Sequence, residues 1–325
     1  MKQLLNSLKN PKLVYAYVTI AFAFLTYYIF KHWTYVPQIL SSPNLSFLLY
    51  AFIFGCINFV AYSYVSHVLY KELGAEISYW RTLEIILASR IGIYLPGRIW
   101  YASNFYIFSR KLNISPSIIA QSFGLNNIFL FMTGGVCSLP IVLPFLSFWE
   151  KIVFISIICL LLIFSHPQSI KYIVSFIPKL NKIVKDQIYF TRFTSKLYLT
   201  FLIYFFALWI ISGVRLYFCI LTLTPVQFND FMTILSACAA SLLIGMLAIF
   251  APGGIGVREG VGVFILSTIL PVEIALFVMI ISRLLSAIID LGGGISAFYL
   301  LNKNNNEEQK FKESNVYECE KITTW

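Results

Sequence analysis

The sequence predicts an all-α protein that crosses a membrane several times. Of its 325 residues, 59% are hydrophobic and only 12% are charged, which is far from the balance of a soluble domain. Several apolar runs approach the roughly 20 helical residues that a hydrocarbon core about 30 Å thick requires. Two further apolar stretches are interrupted by proline and glycine next to arginine. We therefore expect about six full spans and two re-entrant hairpins, arranged as an inverted repeat.

The first half of the repeat, residues 1–145, is predicted to contain three spans and one hairpin. The spans are residues 13–30, 47–70 and 118–143. Between the second and third spans, the apolar segment 83–95 is too short to cross the bilayer and stops at Pro96, Gly97 and Arg98. We expect this segment to enter the membrane and to return to the side from which it came.

The second half, residues 150–301, repeats this order upside down. Its predicted spans are residues 152–164, 197–221 and 274–301. Residues 231–250 lead into the sequence FAPGGIGVREG, residues 250–260, and a short apolar arm leads out of it, which predicts a hairpin that enters from the opposite side. Because 231–250 is long enough to cross the bilayer by itself, a larger number of spans stays open.

Lysine and arginine in the short loops predict the orientation. The longest polar interval, residues 166–196, carries several lysines and a single acid, and such loops remain in the cytoplasm. This places both termini in the cytoplasm and the protein in the inner (plasma) membrane. Residues 1–301 then form one transmembrane domain, and residues 302–325 form a polar tail that we expect to be disordered.

Composition argues against several classes of function. The net charge of +10 comes from residues that flank the apolar runs, so it indicates membrane topology rather than nucleic-acid binding. The six cysteines and three histidines are dispersed, and the pattern predicts neither a disulfide framework nor a metal site. The sequence contains no nucleotide-binding motif of the form G-x-x-x-x-G-K-[ST]. We expect no cofactor.

The paired interruptions indicate a polar site inside the membrane. Gly- and Pro-interrupted segments at matching places in two inverted halves are typical of transporter binding sites near the bilayer midplane. Irregular backbone at that depth is tolerated only when it is buried in protein or lines a wet cavity. The residues predicted to form the cavity backbone are Pro96, Gly97, Pro252, Gly253, Gly254 and Gly256.

Charged residues inside the apolar segments predict what the cavity binds. An arginine at membrane depth is costly unless it has a partner or an anionic guest, and its planar guanidinium suits phosphate. We predict that a lipid phosphate is bound by Arg90, Arg98, Arg258 and Arg283. The predicted charge partners are Glu259, Asp290 and Arg215; as an alternative, Arg215 and Asp290 form structural pairs within the bundle. No residue is assigned a catalytic role.

The sequences LPGRI, residues 95–99, and FAPGGIGVREG resemble the flippase-like membrane domain of lysylphosphatidylglycerol synthases, and Arg283 resembles an arginine of that family's last span. The resemblance covers residues 10–301. It implies a membrane domain that moves a lipid made by a cytoplasmic synthase. Only 24 residues follow Leu301, too few to bury a catalytic core, so we expect a stand-alone member. The segment AQSFGLNNIF departs from the acidic or Arg-containing segment common in the family, which leaves the substrate open.

Three functions are compatible with these residues. The first is the handling or translocation of an anionic, phosphate-headgroup envelope lipid. The second is a membrane-embedded transferase acting on a lipid or prenyl phosphate, which would need a positioned carboxylate or a metal. Acids in or near the apolar runs are few, which argues against an enzyme. The third is a scaffold that binds envelope-biosynthesis proteins.

Overall fold

The computed structural model describes residues 43–94, 99–165, 194–248 and 251–323. All regular structure in these ranges is helical, which confirms the predicted all-α class. The helices are α1 Leu45–Glu72, α2 Tyr79–Arg90, α3 Ile99–Lys111, α4 Pro116–Val142, α5 Phe148–Ser165, α6 Ser195–Leu221, α7 Phe231–Leu247, α8 Val257–Leu266 and α9 Val272–Thr323. Short 3₁₀ turns occur at Ile91–Tyr94, Leu143–Phe145, Phe228–Asp230 and Pro252–Gly254.

Within the described ranges, five helical segments are long and apolar enough to cross a membrane. They are Leu45–Glu72, Pro116–Ile141, Ser195–Leu221, Phe228–Leu247 and Val272–Leu301. Four of them coincide with predicted spans. Phe228–Leu247 is the segment that we assigned to the first arm of the second hairpin, and its length matches the alternative that the sequence left open. The predicted first span, 13–30, lies outside the described residues.

The outer surface of the helices is apolar. On α1, Leu49, Ile53, Ile57 and Val60 recur at helical spacing, and each is between 42% and 57% exposed. A stripe of large apolar side chains on the outside of a bundle is stable only in an apolar environment. The protein is therefore a polytopic membrane protein whose bundle surface faces lipid.

The first interrupted segment consists of α2, the 3₁₀ turn Ile91–Tyr94 and α3. These helices have 12 and 13 residues, so each is about 20 Å long and shorter than a bilayer core of about 30 Å. The Ser78 side chain caps α2 by accepting a hydrogen bond from the Arg81 N–H at 3.4 Å. The tip of the segment, residues 95–98, lies outside the described residues, and with it the predicted roles of Pro96, Gly97 and Arg98.

The second interrupted segment consists of α7, the 3₁₀ turn Pro252–Gly254 and α8, which has only 10 residues. Gly254 has a φ of +72°, and a Cβ atom added there would lie 2.8 Å from the Gly245 carbonyl oxygen of α7. Glycine is therefore required at this position by both the backbone conformation and the close approach. The turn folds back against the helix that precedes it.

The two halves pack against each other reciprocally. Helix α9 packs on α2, the first arm of the first interrupted segment, and α4 packs on α7, the first arm of the second. Helices α1 and α6 pack along each other between these pairs. The last span of each predicted half thus contacts the first arm of the other half's interrupted segment. Helix α9 continues past Leu301 to Thr323, through most of the segment for which we predicted a polar tail.

Aromatic side chains fill the core between α4 and α6. The rings of Phe129 and Phe201 stack at 5.7 Å between centroids, and those of Phe129 and Phe205 stack at 5.6 Å. All three side chains are fully buried, and such pairs add about 0.5–1.5 kcal/mol each beyond the area that they bury. This packing fixes α4 and α6 against each other on one side of a central cavity.

Candidate functional site

A cavity of about 290 Å³ lies at the centre of the bundle. Every described helix except α5 contributes to its wall, directly or through its adjoining turn. This volume is close to the lower end of the range of roughly 300–1,000 Å³ that small-molecule sites occupy. It is large enough for a polar headgroup.

Four arginines line the cavity, and they come from four different helices: Arg90 from α2, Arg215 from α6, Arg258 from α8 and Arg283 from α9. Asp290 of α9 also lines it. All five were predicted from the sequence as site residues or charge partners. The structure thus brings together charges that are up to 200 positions apart in the chain.

Two of the arginines are paired with carboxylates. Arg90 Nε donates to Asp290 Oδ1 at 2.7 Å, and Arg283 Nε lies 2.8 Å from Glu259 Oε1. Asp290 and Glu259 are both buried, being 5% and 6% exposed. Glu259 therefore pairs with Arg283 of another helix and not with its neighbour in sequence, Arg258.

The other two arginines have no carboxylate partner in the part of the chain that the structure describes. Arg215 donates to two hydroxyl groups of α9, those of Ser286 at 2.8 Å and Ser282 at 3.1 Å. Arg215 is therefore held by hydroxyl groups, whereas Asp290 pairs with Arg90. The buried Nε of Arg258 has no hydrogen-bond partner among the described residues. Arg258 is close enough to Arg283 and Arg215 to be repelled by both, and close enough to Glu259 to be attracted by it without forming an ion pair.

The second interruption positions these charges through its backbone. The Gly256 N–H donates to Glu259 Oε2 at 2.6 Å, which satisfies one of the unpaired amides at the start of α8. The carbonyl oxygen of Gly253 accepts a hydrogen bond from Arg283 Nη2 at 2.9 Å. Gly253 and Gly256 have φ angles of +58° and +83°, which are readily adopted only by glycine. Gly253 and Gly256, which were predicted as cavity backbone, therefore fix the positions of the Arg283 and Glu259 side chains.

The two interrupted segments meet beside the cavity. A Cβ atom added at Gly253 would lie only 3.6 Å from the Ile93 carbonyl oxygen. Tyr94, which is in the same 3₁₀ turn as Ile93, donates its hydroxyl to Asp290 Oδ2 at 2.8 Å. The contact between the two turns is therefore directly next to the Arg90–Asp290 pair.

Aromatic and amide side chains complete the wall, and the sequence did not single most of them out. The guanidinium carbon of Arg90 lies 4.7 Å from the centroid of the Phe59 ring, a cation–π contact. Asn58 Nδ2 donates to the Leu208 carbonyl at 2.8 Å and to the Ser212 hydroxyl at 3.0 Å. The remaining aromatic residues of the wall are Tyr62, Tyr94, Tyr101, Phe123 and Trp209. The only sequence feature that could have indicated these wall residues is a tyrosine or an asparagine within an apolar run.

Comparison with known proteins adds one match. Residues 13–294 match the model of a protein family described as the lysylphosphatidylglycerol synthase TM region. The match includes every residue that lines the cavity. None of the curated proteins compared with the chain matches it.

Proposed function

The chain belongs to the lysylphosphatidylglycerol synthase transmembrane-region family, and on this premise we propose that it binds an anionic envelope lipid and moves its headgroup across the bilayer. The family associates the chain with lipid handling in a membrane. That the bound group is a phosphate headgroup, and that the protein moves it across the bilayer, we propose from the charge and geometry of the cavity.

The observation that supports this function is the surplus positive charge of the cavity. Four arginines line it, and two of them, Arg215 and Arg258, have no carboxylate partner among the described residues. An uncompensated arginine inside a membrane costs at least about 2.5–3.5 kcal/mol. A phosphate in the cavity would offset this cost by forming charge-assisted hydrogen bonds with both guanidinium groups.

The geometry also suggests how the lipid would be held. Arg258 projects from the start of α8 and Arg215 from α6, so a phosphate between them would be held by two helices of the second half, while residues of the first half line the rest of the cavity. The cavity has room for a headgroup, while the acyl chains would remain in the surrounding lipid. Because both halves line the cavity, a movement of one half relative to the other would expose the bound headgroup first to one side of the bilayer and then to the other.

Carboxylate geometry favours lipid handling over the transferase alternative. A general base must reach the proton that it removes. Asp290 and Glu259 are instead each held by an arginine, at 2.7 Å and 2.8 Å. We also propose that the protein lies in the plasma membrane with both termini in the cytoplasm; the lysine-rich interval 166–196 supports this orientation.

Reconstitution into vesicles tests this function. We expect the wild-type protein to accelerate the transbilayer movement of fluorescent phosphatidylglycerol. Arg258→Ala should lose at least about 2 kcal/mol of the stabilisation of the bound phosphate. We therefore expect this variant to move the lipid more than tenfold more slowly than the wild type. Arg81→Ala is the matched control, because Arg81 pairs with Glu84 at 3.1 Å outside the cavity wall. Equal rates for the wild type and Arg258→Ala would contradict the proposal.

A further inference from the structure

The carboxylates next to the cavity are fully engaged by the protein itself. Asp290 accepts from Arg90 Nε at 2.7 Å through Oδ1 and from the Tyr94 hydroxyl at 2.8 Å through Oδ2. Glu259 Oε1 lies 2.8 Å from Arg283 Nε, and its Oε2 accepts from the Gly256 N–H at 2.6 Å. Each of the four carboxylate oxygens thus already has a protein donor. Each carboxylate is already paired with an arginine, so its negative charge is compensated within the protein and is not available in full to balance a cationic ligand.

The aromatic wall offers little more to a cation. The Phe59 ring, which is in the cavity wall, is already covered by the Arg90 guanidinium at 4.7 Å. The Trp209 Nε1–H and the Tyr94 hydroxyl are both donors within the protein, to Thr133 and to Asp290. Of the charged side chains that line the cavity, Arg215 and Arg258 are those without an ion-pair partner among the described residues, and both are positive.

We infer that the cavity selects an anionic lipid whose headgroup extension is uncharged and hydroxylated, and that it rejects the aminoacylated, cationic form of the same lipid. This inference rests on the proposed function and specifies its substrate class. The phosphate is bound by Arg215 and Arg258. An ammonium group held in the same cavity would lie near these guanidinium groups without a free carboxylate to balance it, and like charges in a low-dielectric site repel strongly.

An uncharged headgroup fits the rest of the wall. Asn58, Asn127 and Ser212 line the cavity. Both Asn58 N–H groups and the Ser212 hydroxyl proton are donated within the protein, so an alcohol would donate to the side-chain carbonyl oxygens of Asn58 and Asn127 and accept from the second Asn127 N–H. Asn127 donates through Nδ2 to the Phe123 carbonyl at 2.7 Å, which fixes the orientation of its amide. A glycerol or sugar extension would therefore find hydrogen-bonding groups that carry no charge.

Competitive lipid binding tests this inference. The purified full-length chain is incubated with an equimolar mixture of phosphatidylglycerol, its lysyl ester with the same acyl chains, and phosphatidylcholine, and the bound lipid is measured by native mass spectrometry. We expect phosphatidylglycerol to be bound at least about tenfold more than the lysyl ester. Binding of the lysyl ester equal to or greater than that of phosphatidylglycerol would overturn the inference and leave the proposed function standing. If neither lipid exceeds phosphatidylcholine, the proposed function fails, and this inference fails with it.

A variant tests the cause of the selectivity. Arg90→Gln removes the cation from Asp290 and leaves a carboxylate free to bind an ammonium group, so we expect the relative binding of the lysyl ester to rise about tenfold. Arg81→Gln, which disrupts an ion pair outside the cavity wall, is the matched control and should leave the ratio unchanged. If Arg90→Gln does not fold, Tyr94→Phe releases one oxygen of the same carboxylate and should shift the ratio in the same direction. An unchanged ratio in a folded variant would show that the engaged carboxylate does not determine the selectivity.

Discussion

We expect Asp290→Asn to destabilise the protein by roughly 2 kcal/mol, because it leaves Arg90 without its partner. Removing one member of a buried ion pair costs about 3–5 kcal/mol. The Arg90 side chain is 29% exposed, towards the cavity, whereas the Asp290 side chain is only 7% exposed. Water in the cavity can solvate the guanidinium in part, which lowers the expected cost. The asparagine oxygen can still accept a hydrogen bond from Tyr94, so that contact adds little to the loss.

A double-mutant cycle measures this interaction. The free energy of unfolding in mixed micelles is compared for the wild type, Asp290→Asn, Arg90→Gln and the double variant, with far-UV circular dichroism as the readout. Because each single change removes the same pair, we expect the double variant to lose about 1–2 kcal/mol less than the sum of the single losses. The same cycle on Arg81 and Glu84, which lie one turn apart on α2, should give a coupling of only about 0.3–0.5 kcal/mol. Additive losses at Arg90 and Asp290 would show that the two side chains do not stabilise each other.

Two further predictions concern the second interruption and the charge of the cavity. Gly254→Ala should lower the free energy of unfolding by about 1–2 kcal/mol, because Gly254 has a φ of +72° and an added Cβ would lie 2.8 Å from the Gly245 carbonyl oxygen. The control is Gly260→Ala, where an added Cβ meets nothing within 4 Å. Equal losses in the two variants would contradict the close packing at Gly254. Cys238 lines the cavity, so an anionic methanethiosulfonate reagent should modify it faster than a cationic one. Faster modification of Cys238 by the cationic reagent would contradict a positive cavity.

The sequence predicted the cavity better than it predicted the pairs within it. The glycines of the second interruption and the arginines in apolar segments indicated a polar site, and the structure places Arg90, Arg258 and Arg283 together there. Arg258 and Glu259 are consecutive on a helix, so their side chains point about 100° apart. Adjacency in the sequence therefore gave no information about pairing, and Glu259 contacts Arg283 of another helix instead.

Other features depended on contacts that local patterns do not encode. The two serines that hold Arg215 are 67 and 71 positions away in sequence, and serine is common in membrane helices without any such role. The number of spans could not be predicted firmly from apolar length. Phe228–Leu247 is long enough to cross a membrane, and an apolar run of that length is compatible with either a span or a buried arm.

A cryo-electron microscopy map of the protein in phosphatidylglycerol nanodiscs would test the central claim most directly. The account predicts density for a lipid phosphate in the cavity, within about 2.7–2.9 Å of the guanidinium nitrogens of both Arg215 and Arg258. The Arg90–Asp290 and Arg283–Glu259 pairs should remain intact beside it. A map in which protein carboxylates neutralise Arg215 and Arg258, with every ordered headgroup outside the cavity, would contradict the account.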